Sequence, residues 1–162
     1  MVASVKKLLR ECGGVGVTFI IPKKDQWPWS PPRGYQCVYE SYFQDDTKLW
    51  FPIPRLISSY SFRRDAAISQ FVNGSSWLVV ALMVMGAESD KSLNVWAFEE
   101  LTSSSDGLFS VKIRPNYNVV TGHPNKMTNW QRFYFYIKSD RPAFEEPPKT
   151  SFRVFGTKIL VY

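Results

Sequence analysis

Histidine and cysteine are nearly missing from this chain. Its 162 residues hold one histidine, His123, and two cysteines, Cys12 and Cys37. That is too few ligands for a structural zinc site, and no CxxC pair exists. Two cysteines need no disulfide, so the sequence reads as intracellular and reduced, with nucleus and cytoplasm not distinguished. A nucleophile–base pair would have to join His123 to Cys12, Cys37 or a serine, and no spacing promotes that. No apolar stretch follows Lys6 and Lys7, so no signal peptide is expected. The longest apolar run, residues 77–87, has the wrong length for a membrane span.

Nucleotide and metal motifs are also lacking. Gly13, Gly14 and Gly16 come without Gly-Lys-Ser/Thr or a complete GxGxxG, so they are read as part of a flexible lead-in over residues 1–18 rather than a phosphate loop. Phe43-Gln44-Asp45-Asp46 has the aromatic-x-Asp-Asp form of reverse-transcriptase metal sites, but that chemistry needs a further carboxylate and a palm domain. Asp45-Asp46 is read as opening a turn. Glu99-Glu100 and Glu145-Glu146 are read as solvated pairs. The expectation is a non-enzyme with no cofactor, no metal, no small-molecule substrate and no membrane partner.

Aromatic residues are abundant: six Trp, eight Tyr and twelve Phe. With 44% hydrophobic residues, the chain can build a core on large rings. An aromatic, Pro-rich N-terminal arm runs through Trp27-Pro28-Trp29-Ser30-Pro31-Pro32, its tryptophans expected to pack onto the domain; its PxxP is a weaker reading as an SH3-type ligand. Residues 36–42 fit a strand or a short helix. Three helices are expected near 54–67, 76–89 and 93–102. Pro54 opens the first, with Leu56, Ile57, Tyr60 and Ala67 at helical spacing. The second follows the stop at Asn73-Gly74, with Ser75 or Ser76 as its cap. It is apolar almost all round and is expected in the centre of the core, with Met83 and Met85 as core filling rather than a ligand pocket. Ser92 is the expected cap of the third, with a stripe of Val95, Phe98 and Leu101.

A Ser-rich turn at 102–107 then gives way to period-two patterning, read as a small C-terminal antiparallel sheet with strands near 108–114, 117–121 and 131–138, and further strands near 152–155 and 158–162. The fold class is α+β. The clearest strand lies within residues 130–138. Phe133, Phe135 and Ile137 share one face, expected in the core; Arg132, Tyr134, Tyr136 and Lys138 share the other. If this strand pairs with 108–114, Lys112 and Arg114 join the second group. The chain carries a net charge of +6. Lys112, Arg114, Arg132, Tyr134, Tyr136 and Lys138 are therefore a candidate nucleic-acid face, cations meeting phosphates and rings stacking on bases. Against this, Tyr is an ordinary strand residue and the RNP consensus is missing.

Several stretches together carry a family likeness: Ile21-Pro22 through Trp29-Ser30-Pro31-Pro32, Val38-Tyr39-Glu40-Ser41-Tyr42-Phe43, Leu49-Trp50-Phe51-Pro52-Ile53-Pro54, Phe98-Glu99-Glu100-Leu101 and Trp130-Gln131-Arg132-Phe133-Tyr134-Phe135-Tyr136. In this order they resemble the gypsy-type transposon domain of plant Gag-like, retrotransposon-derived proteins, over residues 19–155. The resemblance implies no enzymatic activity and no cofactor. It implies a non-enzymatic interaction or assembly domain, self-associating or binding another protein, with nucleic-acid binding as the alternative. Residues 156–162 read as a divergent tail of a truncated copy.

Overall fold

In a computed structural model, residues 1–44, 47–71, 73–104, 111–115 and 132–148 are described. Chain order is helix α1 (Val2–Glu11), strands β1 (Phe19–Ile20) and β2 (Tyr35–Tyr39), helices α2 (Arg55–Arg63), α3 (Asn73–Glu88) and α4 (Val95–Leu101), then strands β3 (Thr102–Ser104), β4 (Val111–Ile113) and β5 (Tyr134–Lys138). The fold is α+β. The expected strands near 117–121, 152–155 and 158–162, the Asp45-Asp46 turn and His123 lie outside the described residues.

Three corrections follow from the architecture. The first concerns the lead-in, where residues 2–11 form α1. Val5 and Leu9, one turn apart, are buried in the core, and Leu8 and Cys12 pack beside them. That is an amphipathic stripe at helical spacing. The glycines end this helix tightly. Gly13 sits at φ +78, and a Cβ there would meet the Phe51 carbonyl oxygen at 2.9 Å. A side chain is strained at such a φ. The Phe51 amide donates to the Cys12 carbonyl at 2.8 Å, tying the turn to the domain.

The second correction concerns the sheet, which is not C-terminal. Its order is β1-β5-β2, both pairings antiparallel, with Cys37 opposite Tyr136 and Phe19 opposite Ile137. Two strands from the first quarter of the chain thus flank a late one. Strand β4 pairs instead with β3, inside the stretch read as a Ser-rich turn. The third correction follows from that order. Since β1 and β2 both neighbour β5, the arm joining them has to cross β5. The sheet face read as open is the face this crossing covers.

The core cluster lies on the other face of the sheet. Phe135 and Ile137 are fully buried there with Val38, Tyr42, Phe43, Ile53, Tyr60, Leu78 and Phe98. Phe133 departs from the expectation: it precedes the strand and is 43% exposed. Helix α3 begins at Asn73, before both expected caps, and is buried in one half only. Ser75, Ser76, Leu78, Val79, Val80 and Leu82 are buried, whereas Val84 and Met85 are exposed. Met83 is half-buried against the core. Helix α4 is capped by Asn94, not Ser92. The Asn94 Oδ1 accepts from the Ala97 amide at 2.8 Å, which satisfies one of the open donors of the first turn. Pro54 stands at the N-cap of α2 without a side-chain bond. Glu145 supplies one from afar, its Oε2 accepting from the Arg55 amide at 2.8 Å. A carboxylate is favoured at that end of a helix.

Candidate interaction surfaces

The six residues of the sequence-derived nucleic-acid face are not brought together as one face. Lys112 and Arg114 belong to β4 and its end, and β4 is in a different sheet from β5. Both are exposed, and Arg114 Nη2 donates to the Glu99 carbonyl at 3.3 Å. Arg132 is exposed, its guanidinium 5.2 Å from the Phe133 ring centroid. Lys138 is exposed at the end of β5. Tyr136 is fully buried and Tyr134 half-buried, because the crossing arm lies on them. The Tyr134 hydroxyl donates to the Gln26 carbonyl at 2.7 Å and the Tyr136 hydroxyl to the Trp27 carbonyl at 2.8 Å. Burial pushes both phenols up, so each stays a protonated donor through the neutral range. The two rings are thus arm anchors and not stacking platforms.

The arm itself is ordered by two successive turns. The Gln26 amide donates to the Lys23 carbonyl at 3.0 Å, and the Ser30 amide to the Trp27 carbonyl at 3.1 Å. Pro28 is buried and takes the second position of the latter turn, where its fixed φ is favoured. The turn stacks Trp27 on Trp29, with ring centroids 5.3 Å apart and planes within 4°. The tryptophans do not pack fully onto the domain: they are 49% and 38% exposed.

A second surface lies on the helical side. Phe62 on α2 and Trp96 on α4 are 66% and 64% exposed. The Arg63 guanidinium sits 3.9 Å over the Trp96 ring, a cation–π contact joining the two helices. Two grooves flank α2. One, of about 770 Å³, is lined by Leu56, Met83, Ala87, Leu93 and Trp96 among others. The other, of about 240 Å³, lies between Phe62 and Pro147-Pro148, and Ser59 borders both. The arginines here have acidic partners in place, Arg63 and Arg64 sharing one. Arg63 makes a two-pronged contact with Glu99 at 2.9 and 2.8 Å, Arg64 approaches Glu99 at 3.9 Å, and Arg55 approaches Glu146 at 3.2 Å. Glu99, Glu145 and Glu146 are therefore bonded, not simply solvated. The Arg63 hydrogen bond holds the Glu99 carboxyl below its usual range, against a smaller opposing effect of burial. Both influences act on the charged form of the carboxyl, in opposite directions.

Sequence reasoning passed over Phe62 and Trp96. The signal was available: each is a large apolar residue off the stripe of its own helix, Leu56/Ile57/Tyr60 in one and Val95/Phe98/Leu101 in the other. Among the described residues, no three His, Cys, Asp or Glu side chains cluster as a metal site, and no helix is long and apolar enough to cross a membrane.

No protein-family model matches the chain, and no solved structure matches it. Two plant proteins do. The chain is 39% identical over 151 residues to the meiosis-specific protein ASY2 of Arabidopsis thaliana, covering 89% of this chain and 11% of that protein. It is 23% identical over 149 residues to the uncharacterised chloroplastic protein At3g60930 of the same plant, covering 88% of this chain and 18% of that one. The chain thus spans less than a fifth of either relative.

Proposed function

We propose that this chain is a non-enzymatic interaction domain of retrotransposon-derived, Gag-like type, and that it self-associates through the α2/α4 side. The observation that carries the reading is the exposure of Phe62 and Trp96 beside two grooves. Large apolar side chains held in water in this way mark contact surfaces. Charge favours a second copy as the partner. A chain of net charge +6 repels itself, as any strongly charged surface does. Yet on this side the three arginines Arg55, Arg63 and Arg64 are balanced by the three carboxylates Glu99, Glu145 and Glu146. Copies can approach there without like-charge opposition. The relatives support a modular role, since the same stretch recurs within two much longer proteins. The retroelement origin rests on the order of sequence motifs. In this reading the protein works inside the cell, in keeping with Cys12 and Cys37 both being free thiols.

Sedimentation equilibrium tests it. The wild-type chain is expected to self-associate with little dependence on salt. Phe62→Glu combined with Trp96→Glu should raise the dissociation constant at least about thirtyfold, each anchor of this kind being worth about 2 kcal/mol. A wild-type chain that stays monomeric at the highest attainable concentration overturns the proposal. So does a double variant that associates like the wild type.

A further inference from the structure

We propose that the Trp27/Trp29 stack is a docking platform for the bases of a single-stranded nucleic acid, with Lys23, Lys24, Arg33 and Lys138 holding its phosphates. This site lies on the outside of the arm, opposite the helical surface in kind: it is aromatic and basic instead of apolar and charge-matched. It also differs from the sheet face that the arm covers.

The platform is built in advance. The Trp27 carbonyl accepts from both the Tyr136 hydroxyl at 2.8 Å and the Ser30 amide at 3.1 Å, and the neighbouring Gln26 carbonyl accepts from Tyr134 at 2.7 Å. These bonds fix the turn whose geometry stacks the two indoles. Ordering the rings before a ligand arrives removes an entropic cost from binding. At 5.3 Å between centroids the rings already touch, so no base fits between them. A base can instead extend the stack on an outer face, and both rings are open to solvent.

The surrounding charge selects the ligand class. Lys23, Lys24, Arg33 and Lys138 are all exposed, and none makes an ion pair among the described residues. The Ser139 amide donates to the Gly34 carbonyl at 2.9 Å, which brings Lys138 and Arg33 to the same edge. Lys138 continues the strand face of Tyr134 and Tyr136, so the cations border the anchored arm. Asp25 is the opposing charge on the arm. A flat aromatic step edged by unpaired cations suits a polyanion that carries its own flat rings. Bases in a duplex are already stacked on each other, so the single strand is preferred.

The test is fluorescence anisotropy of a short labelled oligouridine with the whole chain, at low and raised salt. Trp27→Ala with Trp29→Ala should weaken binding about tenfold or more, each stacked base contributing at the scale known for aromatic platforms. Trp27→Phe with Trp29→Phe should keep most of the affinity. Lys23→Glu with Lys24→Glu should flatten the dependence of affinity on salt. Thermal melts of each variant separate loss of the platform from loss of the fold. The proposal is overturned by no binding at low salt, or by an alanine pair that binds like the wild type. It is overturned equally by a duplex or heparin binding as tightly as the single strand, which would mean charge alone. A phenylalanine pair that loses binding while keeping the wild-type melting temperature also ends it.

Discussion

The aromatic residues that strand β5 turns toward the arm and those that helices α2 and α4 turn outward meet opposite fates. On the sheet side, Tyr136 is fully buried, Tyr134 half-buried, and both hydroxyls hold the crossing arm. On the helical side, Phe62 and Trp96 stand in water, while Tyr60 on the same helix as Phe62 is buried with its hydroxyl unbonded among the described residues. The sheet side is closed by topology: a connection between strands that flank a third has to pass over it. The helical side has no such obligation: α2 meets α4 with α3 between them in the chain, and this packing leaves Phe62 and Trp96 exposed. What covers a surface here is decided by connectivity more than by composition.

The largest effect expected from this contrast comes from truncating one ring on each side. Phe135 is a fully buried ring on the central strand. Phe135→Ala should cost about 3–5 kcal/mol. That is a large share of a typical domain's stability. Trp96 is exposed and its cation–π contact is with Arg63, so Trp96→Ala should cost no more than about 1 kcal/mol of stability while altering association. Urea melts of the two variants give both numbers. A Trp96→Ala chain as unstable as Phe135→Ala would mean that the helical side is core, and the contrast would fail.

A smaller effect separates two buried tyrosines. The Tyr136 hydroxyl donates to the Trp27 carbonyl and so anchors the arm. Tyr136→Phe deletes that donor and should cost about 1 kcal/mol. The Tyr60 hydroxyl is buried with no hydrogen-bond partner among the described residues. Tyr60→Phe should therefore leave stability unchanged or raise it. Paired thermal melts decide the point. Equal losses in both would show that the Tyr60 hydroxyl is satisfied after all, and that the two sides bury polar groups alike.

These differences also explain what could be read from the sequence. Period-two alternation placed Phe135 and Ile137 in the core, because side-chain alternation is a local property of a strand. It could not place Phe133, since the strand starts one residue later and the Phe133 carbonyl accepts from the Glu40 amide while its ring stays outside. Alternation also does not say whether the second face of a strand is wet. That depends on β1 and β2, whose pairing with β5 joins residues far apart in the chain, such as Phe19 and Ile137. Helices α2 and α4 were legible from their stripes, Leu56/Ile57/Tyr60 and Val95/Phe98/Leu101. Helix α1 carried the same kind of signal in Val5, Leu8, Leu9 and Cys12, but the glycines after it suggested a flexible segment. Those glycines close the helix against Phe51. In α3, uniform hydrophobicity marked a helix without marking which half would be covered.

The smallest expected effect concerns how each side responds to acid. Tyr134 and Tyr136 bond through neutral phenols, which acid leaves protonated, so the arm should stay anchored as pH falls. The helical side is tied differently, through Glu99. Its carboxyl is held below the ordinary range by the Arg63 hydrogen bond, with the charges of Arg63 and Arg64 acting in the same direction and burial opposing. A carboxylate whose folded pKa is depressed adds stability above its unfolded value, about 4.3 for glutamate, and loses it as pH falls through the folded value. The Arg63–Glu99 contact is partly exposed, with side chains at 34% and 19%. Solvent therefore screens it, and the effect stays modest. Acid titrations followed by thermal melts should show a shallower acid limb in Glu99→Gln than in the wild type, with the two curves converging at the lowest pH. The α2–α4 contact should loosen first, read from the difference in tryptophan fluorescence between the wild type and Trp96→Phe as Arg63 leaves the ring. An unchanged acid limb in Glu99→Gln would remove the ion pair from the account of this side. A loss that appears on raising the pH instead would have the wrong sign for a carboxylate and would assign the linkage to another group.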